Sequence, residues 1–286
     1  MKALKYIGLG GLLVLLTIGC SDFLKEYSQD TYYVSSYEDL DELLAGDGYL
    51  PVNGCGSNMG YFIHFLADEI EEQNSYYSAW GGGFASGADN FRRNLFGYYT
   101  WQQRVGQNDS YTGFITENGT WTELYRLINV MNNVISSIED VPQVSADERL
   151  GAKRVKGEAH FLRAAYYFWL VNLYGKPYDV ATAKEDLAVP LKTTESVLDI
   201  KFSRNTVQET YGLILSDLKT AEACLAETGE ARNIYRADLT AVNLLQSRVH
   251  LYMQNWQLAA DYADSVLVRQ NTLVDLNSRQ PYDGFL

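Results

Sequence analysis

The stretch KGEAHFLRAAYYFWLVNLYG, residues 156–175, decides the fold. Together with Val155, its residues Ala159, Leu162, Ala165, Tyr166, Trp169 and Leu173 recur at steps of three and four. That spacing draws one apolar stripe along an α-helix, whereas a strand would need alternation. The pattern reaches back to Ala146 and stops at Gly175 with Pro177 close behind, so one long helix is predicted over 146–174.

Working outward from this helix, Trp121, Leu124, Tyr125, Ile128, Met131, Ile135 and Ile138 mark one face of a preceding helix that Pro142 closes. On the other side, Thr206 to Ala226 carries Val207, Tyr211, Ile214, Leu218 and Ala221 at helical spacing. A last pair spans Leu239–Met253 and Trp256–Val268. In that pair Ala241, Leu244, Leu245, Val249 and Tyr252, then Trp256, Ala259, Ala260 and Ala263, put small residues where two antiparallel helices must approach closely. This is the packing logic of tetratricopeptide-like repeats, although no clean period of ~34 residues can be traced. The expected fold class is mainly α, tetratricopeptide-like helical hairpins with a loop-rich N-terminal insertion.

The insertion runs over about residues 47–118, where glycines, Asn and aromatics are dense and only Tyr61 to Glu72 has helical character. Long irregular segments of this kind are uncommon in compact domains unless they carry function. Before it, Ser35 and Ser36 precede Tyr37, Leu40, Leu43 and Leu44, which predicts a short capped helix ending near Gly46.

The first residues read as an export signal. Lys2 and Lys5 form a positive start, Tyr6 to Ile18 an uncharged apolar run, and Gly19 precedes Cys20. The run is short for a bilayer span. A Cys at the cleavage point resembles the lipobox of bacterial lipoproteins, so the expected organisation is a lipoprotein signal peptide over 1–20 with Cys20 lipidated, then a helical-repeat body over 21–286. Residues 21–33 are expected as a tether. Of the remaining cysteines, Cys55 and Cys224, the second lies on an apolar helix face and is expected as a buried free thiol.

A net charge of −13 in 286 residues argues against nucleic acid as a partner, because a phosphate backbone selects for clusters of Lys and Arg. The 22 Tyr and 5 Trp supply side chains with a flat apolar face and a polar edge, suited both to cores and to stacking on ligands.

Several stretches, taken in order, resemble the SusD/RagB family of outer-membrane nutrient-binding lipoproteins. They are Cys20-Ser-Asp-Phe-Leu, then Trp121-x-x-Leu-Tyr125 with Asn132 and Ile135. Next come Lys156-Gly-Glu158-Ala-x-Phe161-Leu162-Arg163 through Tyr174-Gly175, and Ala188-Val-Pro190-Leu191. The last are Arg204-x-Thr-Val207 with Tyr211, Asp217 and Leu218, and Ala241 to Ala259. The resemblance implies a surface lipoprotein that covers a SusC-like TonB-dependent transporter in the outer membrane and hands it oligosaccharides or other oligomeric nutrients. It also implies a chain that corresponds to the N-terminal part of such proteins, with the family's C-terminal part missing. No cofactor or metal and no enzymatic activity are expected. The competing expectation is a helical-repeat lipoprotein that serves only as a protein-interaction scaffold.

A glycan site needs aromatic platforms for the C–H faces of sugars, flanked by polar side chains for their hydroxyls. The segment from Asp68 to Trp101 has that composition, so Asp68, Asn74, Tyr76, Tyr77, Trp80, Tyr99 and Trp101 are the expected ligand-binding residues. Other chemistries fit less well. Asp68, Glu69, Glu71 and Glu72 sit too close together on one expected helix to read as a glycosidase pair. His64 and Asp68 are one turn apart without a third metal ligand in view. His160 and His250 fall within helix-packing patterns. Gly81-Gly82-Gly83 lacks the Lys-Ser/Thr of a phosphate loop. Glu158 and Arg163, within the motif, are expected as a structural pair or a solvated face.

Overall fold

The computed structural model describes residues 34–49, 66, 96–102, 118–196, 200–229, 231, 233–273 and 275. Six α-helices carry most of these: α1 Tyr37–Leu43, α2 Asn118–Ser137, α3 Ala146–Tyr174, α4 Val207–Leu225, α5 Leu239–Tyr252 and α6 Trp256–Arg269. Among the described residues strand pairing is limited to one antiparallel bridge, Leu187 with Thr206. The mainly helical class expected from the periodicity is thus what forms. Ser36 onward makes one unit and the residues before it another.

Local signals set the helix starts. Ser36, Ser145 and Thr206 each begin a capping box, in which the side-chain oxygen accepts from the third backbone N–H and an acidic side chain there returns the bond. Asp238 caps α5 by accepting from the Ala241 N–H. The first helix departs from its predicted end near Gly46, because α1 passes at Leu44 into one π-helical turn that runs to Gly48. Gly48 packs tightly against α2: a Cβ there would lie 2.8 Å from the Met131 methyl.

Packing follows chain order. α3 lies against both α2 and α4, α4 contacts α5, and α5 pairs with α6, while α1 rests on α2 and α3. The core sits along α2, α3 and α4, with Leu124, Ile128, Met131, Leu170, Ile214 and Leu218 wholly or almost wholly buried. α3 packs tightly on α4 at Gly157, where an added Cβ would meet Leu225 Cγ at 2.8 Å and Cys224 Cβ at 2.9 Å. Cys224 is buried with a free thiol, as expected.

The chain between α3 and α4 is held as a strap. The Ala188 N–H donates to the Asn205 carbonyl at 2.7 Å and the Asn205 N–H to the Val189 carbonyl at 3.1 Å. Arg204 Nε donates to the Ala188 carbonyl at 2.6 Å, and its terminal nitrogen reaches the Tyr174 carbonyl at the end of α3. Tyr125 of α2 donates to the Pro190 carbonyl at 2.7 Å. Tyr167 of α3 donates to the Lys192 carbonyl at 2.8 Å and accepts from the Lys192 N–H. Burial pushes that hydroxyl up to about 12.

The last hairpin corrects the expected interface. Val249 and Ala259 are buried as foreseen, but Leu244, Tyr252 and Trp256 are about half or more exposed and Ala260 is exposed. The face that α5 turns inward instead carries Val242, Asn243, Gln246, Val249 and His250. Polar bonds explain the rotation. Gln246 donates to Glu222 of α4 at 3.0 Å, the Ser247 hydroxyl to the Ala259 carbonyl at 2.7 Å, and the His250 ring stacks flat on Tyr262 at 5.6 Å.

Candidate ligand-binding surface

Of the residues expected to meet ligand, Asp68, Asn74, Tyr76, Tyr77 and Trp80 lie outside the described residues, as does Cys20. Tyr99 and Trp101 lie within them. A helical turn over residues 96–99 ends in a compact knot of backbone bonds. The Thr100 N–H donates to the Phe96 carbonyl at 3.1 Å, the Trp101 N–H to Tyr98 at 3.0 Å and the Gln102 N–H to Gly97 at 3.0 Å. The Thr100 hydroxyl also donates to the Phe96 carbonyl.

These bonds hold Trp101 at φ 52°, in the left-handed region that costs a non-glycine residue about 1 kcal/mol or more. The consequence is a division of labour along consecutive aromatics. Tyr98 is 4% exposed and anchors the turn, Tyr99 is half-buried with its ring edge-on to Phe96 at 5.9 Å, and Trp101 stands 67% exposed. An indole displayed on a hydrogen-bonded turn can stack on the apolar face of a sugar with little rotamer entropy to lose.

The motif residues do other work. Arg163 of α3 is 6% exposed and grips Asp217 of α4 with two bonds, Nε to Oδ2 at 2.8 Å and a terminal nitrogen to Oδ1 at 2.7 Å. Its other terminal nitrogen donates to the Asn132 amide oxygen of α2 at 2.9 Å. The Asn132 amide nitrogen in turn reaches the Lys192 and Thr194 carbonyls of the strap at 3.0 and 3.1 Å. His160 Nδ1 lies 2.7 Å from Asp217 Oδ1. Burial alone would raise the Asp217 carboxyl, but the bonds from Arg163 and His160 outweigh it and hold the group below the ordinary carboxylate value.

Glu158, one turn earlier on α3, faces a second cluster. Its carboxylate, on a residue 1% exposed, accepts from Arg236 Nε at 2.6 Å and from the Tyr49 hydroxyl. Arg236 also pairs with Asp41 of α1 and lies over the Tyr49 ring, 5.3 Å from its centroid. The Tyr49 hydroxyl accepts from the Ala237 N–H at 2.9 Å. Glu158 and Arg163 are therefore structural, as expected, but neither a mutual pair nor a solvated face. Each is buried and bonded to a different distant segment. No local spacing announces Arg236, Asp41 or Tyr49, because their partners lie far away in sequence. The acidic-to-basic pattern within α3 offered a nearer partner that the fold does not use.

The SusD-like family model described as starch-binding associating with outer membrane matches residues 66–251. The SusD-like protein P25 of Formosa agariphila is 27% identical over 140 residues, which is 48% of this chain and 24% of that protein. A SusD superfamily protein of Bacteroides thetaiotaomicron superposes with a TM-score of 0.55 at 27% identity, covering 81% of this chain and 46% of the other. A SusD-like carbohydrate binding protein of Bacteroides vulgatus has a TM-score of 0.55 at 23% identity, over 85% and 47% of the two chains, and shares the fold. The chain thus spans about a quarter of the curated relative and about half of the two solved ones. Family model, relatives and helical architecture agree that this chain belongs to the SusD-like family.

Proposed function

We propose that this chain is a cell-surface glycan-binding lipoprotein, without enzymatic activity, that delivers oligosaccharides to a SusC-like TonB-dependent transporter of the outer membrane. The observation that carries the reading is Trp101, 67% exposed on a left-handed backbone turn at the edge of an aromatic-rich insertion. Strain of this sort persists only where surrounding bonds over-determine it, and such sites cluster where ligands are held. The family's starch-binding description supports glycan as the ligand class. Cys20 is the lipid anchor in this reading, and several acyl chains would hold the protein firmly at the membrane surface. In this reading Tyr76, Tyr77 and Trp80, with Asn74 and Asp68 as polar flanks, are further ligand contacts beside Trp101 and Tyr99 in the sequence.

The test uses the processed chain beginning at Cys20, held in detergent and titrated calorimetrically against a panel of polysaccharides. Trp101→Ala is expected to weaken binding of the glycan that registers by about tenfold, the loss of roughly 1.4 kcal/mol in an aromatic contact. Single Tyr76→Ala, Tyr77→Ala and Trp80→Ala changes are expected to act in the same direction. If all four variants keep the parental affinity, this placement of the site is wrong.

A second reading, a scaffold that only binds proteins, is favoured by one observation: Trp256, Leu244 and Leu267 on the last hairpin are all more than half exposed. Under it, no glycan of the panel binds.

A further inference from the structure

Where the C-terminal end of α2, the first turns of α3 and the last turn of α4 meet, there is a cavity of about 440 Å³. Its size falls among ordinary small-ligand pockets and gives room for roughly one or two sugar rings. Arg149, Lys153 and Lys156 of α3 line it. Their spacing of four and then three residues puts all three cations on one helix face. Glu139 and Glu227 are the acidic side chains in the lining, which leaves a local balance of three positive to two negative in a chain whose net charge is −13. The cavity is a cationic spot on an anionic molecule.

The present partners of these cations are loosely held. Lys153 pairs with Glu227 at 2.6 Å and Lys156 pairs with Glu139, but the two glutamate side chains are 62% and 61% exposed. Exposed pairs of this kind contribute about 0–1 kcal/mol, so an incoming anion can replace the carboxylates at small cost. Arg149 donates through one terminal nitrogen to the Gln143 and Val144 carbonyls. Its Nε and other terminal nitrogen make no bond among the described residues.

Apart from these charged groups and Gln143 the lining is apolar. Ile138 is 1% exposed, Ala152 2% and Cys224 9%, and burial pushes the Cys224 thiol above its ordinary range, so it stays neutral. Leu150 adds an aliphatic surface that is 43% exposed. Exposed aliphatic surface at Ala146 and Leu150, beside a guanidinium and two ammonium groups, complements a ring that has a C–H face and one carboxylate.

We propose that this cavity binds an acidic saccharide, a uronate-bearing sugar, with Arg149, Lys153 and Lys156 clamping its carboxylate and the exposed Ala146 and Leu150 meeting its ring. The assignment rests on the glycan-binding reading and adds a second subsite to it. The planar fork of Arg149 favours a carboxylate in two-point contact, which Lys cannot reproduce.

The test titrates the processed chain in detergent with galacturonic acid oligomers, with neutral galactose oligomers of equal length, and with sodium acetate and sodium sulfate as bare anions. The acidic oligomer is expected to bind at least tenfold more tightly than the neutral one and to lose that advantage in high salt. The double variant Arg149→Ala/Lys153→Ala is expected to erase the preference while leaving the neutral affinity unchanged, and Arg149→Lys to keep part of it. Thermal melting of each variant checks that the fold survives. Equal affinity for acidic and neutral oligomers, or a preference that the double variant retains, overturns the subsite. So does displacement of the oligomer by acetate or sulfate at matched concentration, which would mark an adventitious ion only. Neutral glycans that bind normally in those cases leave the broader glycan-binding reading standing, whereas failure of every saccharide to bind overturns both.

Discussion

Helices α3 and α6 are both written with apolar residues at helical spacing, yet α3 buries 14 of its 29 residues and α6 buries Ala259 alone. The difference lies in neighbours rather than in composition. α3 is clasped by α2 on one side and α4 on the other, while among the described elements α6 touches only α5. A helical stripe therefore states which face can be buried, and the number of flanking helices decides whether it is. In a stacked-hairpin architecture the stability of each unit comes from the interfaces on both its sides, so the two helices should respond to mutation very differently.

The sharpest break of that contrast is at Arg163. Removing it by Arg163→Ala leaves Asp217, 2% exposed, as a charge without its principal partner, and strips Asn132 of its guanidinium donor. A loss of about 3–5 kcal/mol is expected from urea unfolding, because breaking one half of a buried pair costs more than the pair itself is worth. The paired replacement Arg163→Met/Asp217→Leu should recover much of it. Acid titration gives an independent check. Asp217 titrates below its ordinary value of 3.8 in the folded protein, so its contribution is fully present above that value and fades as pH falls through the lower folded value. In Arg163→Ala the onset of acid unfolding should move to higher pH. A variant that unfolds in acid at the parental pH would show that the network contributes little.

The helical body was legible in the sequence because its signals are local. Apolar steps of three and four, the capping serine before α1 and the stop at Gly175 need nothing from distant parts of the chain. Partnerships across the fold were not legible. Glu158 finds Arg236 and Tyr49, and Arg163 finds Asp217, through helix packing that no spacing encodes. The orientation of α5 failed for a related reason. The small residue Ala259 does meet α5 closely, through the Ser247 hydroxyl, but the bond from Gln246 to α4 turned a polar face of α5 inward, with Asn243 Oδ1 buried and without a partner among the described residues. At the candidate surface, composition pointed to aromatics. Only the backbone turn at residues 96–102 separates Tyr98, which anchors, from Trp101, which is displayed.

A smaller loss is expected at Gly157, where α3 packs tightly on α4. Gly157→Ala would place a methyl 2.8–2.9 Å from Leu225 and Cys224 and force the helices apart. Overpacking of this kind costs about 1–3 kcal/mol, somewhat offset by the better helix propensity of Ala. A denaturation midpoint equal to that of the parent would mean that the interface yields easily. Smaller again is Thr206→Ala, which removes the acceptor for the Glu209 N–H at the start of α4. Loss of such a cap costs about 0.5–2 kcal/mol, and amide exchange should show fraying confined to the first turn.

The smallest effect is expected on α6, and it sharpens the comparison most directly. Leu267 is 54% exposed, whereas Leu170 of α3 is wholly buried. Leucine to glutamine is the same chemical change at either place. At Leu267 it removes an apolar side chain that is already largely in water, so the expected shift in unfolding free energy is within about 0.5 kcal/mol. At Leu170 it buries an amide in a packed core, leaves its hydrogen-bonding groups without partners and opens a misfit, so a loss of several kcal/mol is expected. Parallel urea titrations of the two variants decide the matter. If Leu267→Gln costs as much as Leu170→Gln, the outer side of α6 is covered in solution, and the neighbour count drawn from α3 and α6 would have to be revised. If it costs almost nothing, the open side of the hairpin is a surface free to engage a partner without penalty to the fold.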